Sequence, residues 1–382
     1  MAHQLTGVPR ALDERRLLST GFSAPGIELV WKSDEPIETG KLASDFAYVN
    51  GEWKDLDHWR YWVLERRPRD RHSLIAPEAI VRITDAFVSI DNKIVTASGF
   101  TLRDSRFFGS EAQRQPLLDT DVVADYSGTH GTALMRPPAY GHWLLHRLPR
   151  MVTLHQHYPE VPILNIQWGD TKLLARLGID ESGIQRFPKS ERGSFVHVDE
   201  LLVPTHLSKP GYKRVHDANR LERVVQAFTK GIEDDPTLPE LLYVARRPEG
   251  KRMGAENKDE LRNYFESLGF TTWYPIDDPI EKQIQHFRAA KVVISEVGSQ
   301  ALTSMFSGPD TTVIIITPEK SKGWGTERQF QPRWRQWQRV VCEARGQHYA
   351  QIVAARDANI RTWSVDMPTL RQAMETYPLR VW

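Results

Sequence analysis

The feature that most constrains this chain is an unbroken alternation of short apolar runs and amphipathic stretches between residues 241 and 317. The apolar runs 241–245, 270–274, 291–295 and 312–317 read as strands, and 258–268, 280–290 and 299–306 between them read as helices. Consecutive strands joined by a crossing helix pair in parallel, and a sheet covered by helices on both faces needs strands that are apolar throughout. The stretch therefore predicts a doubly wound α/β unit, whose ligands belong in the crevice at the carboxyl ends of its strands.

The first part of the chain has a different rhythm. Alternating segments at 80–84 and 86–95, with a turn at Asp91-Asn92, predict a β-rich N-terminal region. From residue 139 a helix carries Leu144, Leu145 and Leu148 on one side toward His155, followed by a strand at 162–167 and a helix at 171–177. A polar helix at 221–232 and the turn-rich Glu233-Asp234-Asp235-Pro236 suit a connection between domains. A chain of 382 residues exceeds what one core usually serves. The expected organisation is an N-terminal domain at 1–235, a Rossmann-like domain at 236–365, and a tail or helix at 366–382.

Charge and cysteine content narrow the chemistry. With 50 Lys and Arg against 49 Asp and Glu there is no single-sign field, so nucleic acid is not an expected partner. Cys342 is the only cysteine, which removes disulfides and thiolate metal clusters and suits a reducing compartment. Residues 1–18 lack the apolar core of a signal peptide, and no run reaches the ~18 apolar residues of a membrane span, so a cytoplasmic protein is expected. Trp324, Trp334 and Trp337 interleave with Arg328, Arg333, Arg335 and Arg339. Such a stretch suits a surface helix that packs its indoles, and equally a sugar, a base or a peripheral contact at the inner membrane face.

Three groups of residues can carry chemistry. Glu296-Val297-Gly298-Ser299 lies where a strand turns into a helix: Gly298 lets a ligand approach the backbone, Ser299 can cap or bond a phosphate oxygen, and Glu296 can accept from ribose or base. At the end of the preceding strand stand Arg246 and Arg247, then Lys251, Arg252 and Asn257, and guanidinium groups there suit a diphosphate leaving group. The third is Tyr140-Gly141-His142-Trp143, running on to Pro149-Arg150. His142 and His146 share a helical face, but Trp143 stands where a zinc peptidase has glutamate. His142 is then either a general base or a packed ring. Asp119-Thr120-Asp121 has the form of a metal-binding Asp-x-Asp but lacks a preceding apolar strand, so no metal site is assigned. Neither a Gly-x-Ser-x-Gly elbow nor a Gly-x-Gly-x-x-Gly fingerprint follows a strand.

Taken in order, these pieces resemble the family 61 glycosyltransferases over 140–318. Tyr140, Gly141, His142, Trp143, Pro149 and Arg150 fit the first family element, and Arg246, Arg247, Arg252 and Asn257 fit the second. The third is matched by Gly269, Phe270, Gln283, Gly298, Ser299, Leu302, Thr303 and Phe306. The chain departs from many relatives at Lys258, Lys282, Val297 and Ser304. The resemblance implies a GT-B arrangement, with two Rossmann-like domains facing across a cleft and the donor nucleotide on the second. It further implies an inverting, metal-independent transfer from a nucleoside-diphosphate sugar to a glycan or lipid-linked glycan, as in capsule or exopolysaccharide synthesis, without a cofactor. On that reading His142 accepts the acceptor proton or orients the acceptor, with Glu296 next in line. Arg246, Arg247, Arg252, Asn257, Gln283, Glu296, Gly298 and Ser299 hold the donor. The alternative is a catalytically inert nucleotide-sugar or glycan-binding protein on the same fold.

Overall fold

The computed structural model describes residues 10–12, 26–36, 38, 41, 43–49, 51–55, 78–89, 94–98, 100–102, 122–133, 140–165, 171–188, 194–205, 217–247, 255–318, 335–355 and 363–379. The chain divides into two compact units, Met1–Ile37 with Leu74–Tyr212, and Glu38–Ser73 with Lys213–Trp382. Both are mixed α/β, and parallel pairs are frequent in both sheets.

The second unit is built on a seven-stranded sheet. Its strands run in the order Thr271–Trp273, Leu241–Val244, Val292–Glu296, Thr312–Pro318, His348–Ala355, Ser44–Val49 and Glu52–Asp55. Every neighbouring pair is parallel except the last. Val292–Glu296 and Thr312–Pro318 are buried at every position, as strands covered on both faces must be. Helices Lys258–Ser267 and Ile280–Ala289 bury Leu261, Tyr264 and Phe265, and Ile284, His286 and Phe287 respectively, at helical spacing. Each fully buried Ile, Leu or Phe of this core contributes about 1.5–3 kcal/mol of transfer free energy. The expected strands and helices between 241 and 317 are all present within a residue or two.

One element differs in kind. Ser299–Phe306 winds as a 3-10 helix rather than an α-helix. Its residues 301–306 are all buried, so there is no outward face of the sort an amphipathic α-helix needs. The Ser304 hydroxyl donates back to the Ala301 carbonyl at 2.8 Å, and the Gly298 carbonyl accepts from the Ala301 amide at 3.2 Å, the tighter bonding step.

Two strands from far upstream complete this sheet. Asp45, 3% exposed, accepts from Nε of Arg339 at 2.8 Å and also from its Nη2, tying Ser44–Val49 to helix Arg335–Arg345. Trp53 donates to the Ala373 carbonyl at 3.1 Å and packs between Tyr48 and Tyr377. Helix Met367–Glu375, capped by Asp366, closes the unit. No described helix is long and apolar enough to cross a membrane.

The first unit holds a nine-stranded mixed sheet. Strand Ala79–Ser89 runs through positions separated in the sequence reading into two segments. One edge pairs antiparallel with Phe195–Pro204, while the other pairs first with Ile27–Lys32 and then with Ile94–Thr96. The change of partner falls at Asp85, whose φ of 51° is in the left-handed region that Asp tolerates better than most residues. The expected strand at 162–167 is Ile163–Asn165, and the helix at 171–177 is Thr171–Ala175. The expected polar helix at 221–232 starts earlier, at Ala218, because Asp217 accepts the amides of Asn219 and Arg220 as its cap. That helix, Ala218–Thr229, belongs to the second unit.

Candidate functional site

The parallel strands Leu241–Val244 and Val292–Glu296 end side by side, with Val244 opposite Ser295. The residues just beyond them meet at the mouth of the sheet. Arg246 reaches across to donate from Nη2 to the Val297 carbonyl at 3.1 Å, and its guanidinium lies against the α-carbon of Gly298. A Cβ at Gly298 would fall on that guanidinium, so the glycine is what leaves room for Arg246 to lie there. The Gly298 carbonyl also accepts from Nε2 of Gln338 at 2.9 Å, which fixes the turn from a helix forty residues away. Nothing in the local pattern around Gln338 signals this part.

Glu296 is fully buried beneath this wall. Its Oε2 accepts the amide of Ala255, and the buried Tyr243 hydroxyl stands against the carboxylate. Burial pushes the Glu296 carboxyl above its ordinary value, against the Ala255 amide and the cations Arg246 and Lys258, which pull it down. The same burial, reinforced by the Glu296 charge, pushes the Tyr243 hydroxyl well up. The Glu296 oxygen thus holds Ala255, and Arg246 is near enough for the two charges to act on each other.

The remaining expected donor residues divide by what they touch. Arg247 stacks on Tyr274, 4.5 Å from guanidinium carbon to ring centroid, and both Nε and Nη2 donate to Asp277. Asn257 exchanges two hydrogen bonds of 2.9 Å with the backbone of Val365, beside the parallel bridge of Ala255 to Trp363. Gln283 donates to the carbonyls of Pro275 and Asp278 at 2.8 and 3.0 Å, bracing the turn Pro275–Asp277. Ser299 opens the 3-10 helix, half-buried, next to Gly298. Of the family departures, Lys258 donates to the Arg247 carbonyl at 3.0 Å, and Lys282 pairs with Asp235 at 2.9 Å. Arg252 lies outside the described residues.

In the first unit, Tyr140–His142 is one α-turn that passes into a π-helical stretch, Trp143–Arg147, and then into α-helix Leu148–His157. Pro149 explains the widened turn: it has no amide to return to the carbonyl of Leu145 and its ring crowds that carbonyl. The expectation of one apolar side is too simple, since Trp143 to Leu154 are buried all round, including His146, Arg147 and Arg150. Arg150 donates from Nε to the Pro204 carbonyl at 2.7 Å, and Thr153 donates to the buried Glu78. The backbone of His142 ends the first α-turn, and its side chain lies outside the described set. Among the described residues no three His, Cys, Asp or Glu converge as a metal site, and Asp119 and Asp121 lie outside them. Trp324, Trp334, Arg328 and Arg333 of the Trp-Arg stretch also lie outside; Trp337 is half-buried on helix Arg335–Arg345.

Strand ends, a guanidinium laid on a glycine and a buried carboxyl behind it stand where an α/β protein binds a ligand at its parallel sheet. The Glycosyltransferase 61 family model matches residues 140–314, from the first α-turn at Tyr140 to the core of the Thr312–Pro318 strand. Over these residues, somewhat under half of the chain, the protein is similar to family 61, which supports a glycosyltransferase. No curated protein matches the chain.

Proposed function

We propose that this glycosyltransferase moves a sugar from a nucleoside-diphosphate donor to a hydroxyl of a glycan or lipid-linked glycan, with inversion and without a metal. The observation that carries the reading is Arg246, held across the ends of two parallel strands against Gly298. A fixed cation beside exposed backbone suits the charge that develops on a departing diphosphate. In the reaction the acceptor oxygen attacks the anomeric carbon from the face opposite the diphosphate. The bond from that carbon to the diphosphate oxygen breaks, the electron pair leaves with the diphosphate, and the acceptor proton passes to the imidazole of His142. Arg246 and the amides at Gly298 and Ser299 meet the negative charge. Glu296 acts from behind, on Arg246.

The same reading takes the GT-B arrangement from the family resemblance, with acceptor chemistry in the first unit and donor binding in the second. It places the reaction in the cytoplasm, on surface polysaccharide such as capsule or exopolysaccharide. A thermal-shift panel of UDP, GDP, CMP and dTDP and their sugars, on wild type and Arg246→Ala, tests it. A ligand at a hundred times its Kd adds about 2.7 kcal/mol to the native state. A shift with one nucleotide that is lost in the variant is the expected result. Loss of activity on chelation would remove the metal-free part of the reading, and the absence of any shift would remove the donor assignment.

A further inference from the structure

We propose that Arg247 is the nucleobase platform of the donor site, its guanidinium seated over Tyr274 and offering its plane to the base. The inference rests on the nucleotide-donor reading above and deepens it. Strand Leu241–Val244 has Val292–Glu296 on one side and Thr271–Trp273 on the other. The two arginines that follow it part accordingly: Arg246 goes to Val297 and Gly298, and Arg247 to Tyr274 and Asp277.

Their chemistry parts as well. Arg247 gives Nε to Asp277 Oδ1 at 3.2 Å and Nη2 to Oδ2, the two-pronged pairing of a guanidinium with a carboxylate. Its charge is met by that carboxylate, and the same carboxylate repels a diphosphate, so Arg247 is poorly suited to clamp phosphate. What it offers is a plane. A guanidinium stacks on aromatic rings on either face, and the guanidinium carbon of Arg247 lies over the Tyr274 ring, 4.5 Å from its centroid. The side chain remains 48% exposed, which leaves surface for a second ring.

The platform is held from every side. Tyr274 packs on the core of the unit, beside Arg262. Lys258 grips the Arg247 carbonyl at 3.0 Å, and Gln283 braces the turn that carries Asp277. Ile276, 79% exposed at the tip of that turn, adds an apolar flank. A plane fixed before the ligand arrives loses little freedom on binding. Two of the residues that bear this function, Lys258 and Gln283, thereby act as positioning residues and do not touch the base.

The test is isothermal titration of UDP, GDP, CDP and dTDP into wild type, Arg247→Ala, Arg247→Lys and Arg246→Ala, with inorganic pyrophosphate as competitor. Stacking of one base predicts that Arg247→Ala weakens the preferred nucleoside diphosphate about tenfold while pyrophosphate competes within about twofold of its wild-type strength. Arg247→Lys keeps the charge and loses the plane, so it should behave as the alanine variant does. Arg246→Ala should lose nucleotide and pyrophosphate together. Equal weakening of nucleotide and pyrophosphate in Arg247→Ala would make Arg247 a phosphate clamp and overturn the inference, as would unchanged nucleotide affinity in both Arg247 variants. If none of the four nucleotides binds wild type, the donor reading falls and takes this inference with it.

Discussion

The two sheets of this chain distribute their polar groups in opposite ways. In the second unit Val292–Glu296 and Thr312–Pro318 are buried along their whole length, and charged and amide side chains gather where the strands stop: Arg246, Arg247, Gln300, Glu296. In the first unit strand Val122–Gly131 is exposed or half-buried up to Thr129 and buried only at His130 and Gly131, and its polar groups are spread along the faces. His197 sits between Asp125 and Asp85, and Thr129 donates to Glu200 at 2.7 Å. A strand covered on both faces leaves only its ends for chemistry, whereas a half-exposed strand has no single place for it. In the first unit the concentration of buried polar groups is in the helix after Tyr140, where His146, Arg147 and Arg150 are all enclosed.

That contrast can be broken at several points. The largest effect is expected from His142→Ala, which on the proposed division of labour lowers kcat by about 10²–10⁴ and leaves nucleotide affinity unchanged. Near-full turnover in that variant would take the proton-accepting role away from the first unit. Next comes Ile294→Ala in the enclosed strand, where the side chain is fully buried and the cost in chemical denaturation should be about 2–5 kcal/mol. Gly298→Ala should keep the fold and weaken nucleotide binding about tenfold, a 1.4 kcal/mol effect, because the new methyl displaces the Arg246 guanidinium. Unchanged affinity would separate Arg246 from the donor.

A smaller effect is expected from pH. The Glu296 carboxyl is raised in the folded state above its ordinary 4.5, so the native protein holds that proton more tightly than the unfolded chain. The stabilisation is fully present below about 4.5 and is lost as pH rises through the folded value. Glu296→Gln removes this titration. Wild-type stability measured against the variant should therefore decline as pH climbs from 4.5, and a difference that grows with pH would mean that Arg246 and Lys258 outweigh burial. The smallest effect belongs to the open sheet: Val123→Ala, at a position 42% exposed, should change stability by no more than about 0.5 kcal/mol.

The legible part of the molecule was the part whose physics is local. Strands 241–244, 292–296 and 312–318 declare themselves because enclosed parallel strands are apolar without interruption, and the helices between them because their buried faces recur at helical spacing. The meeting of Arg246 with Gly298 follows from two neighbouring strand ends, which the alternation already implied. What stayed hidden depends on distant partners. Strands Ser44–Val49 and Glu52–Asp55 join the second sheet through Asp45 and Arg339, and no pattern near residue 45 points to residue 339. The 3-10 winding of Ser299–Phe306 comes from enclosure and from the Ser304 hydroxyl, while propensity alone favours an α-helix. The family resemblance places Asn257 and Gln283 at the donor, and in the structure their amides bond to Val365, Pro275 and Asp278.

The central claim is that the donor binds at the strand ends of the second unit. Hydrogen exchange with and without the nucleotide that stabilises the protein tests it most directly, because amides at the crevice report on the ligand without any substitution. The account predicts slowed exchange in peptides that cover 296–300 and 245–247 on nucleotide addition. Protection confined to the first unit, around 140–157, with the strand ends unchanged, would contradict it.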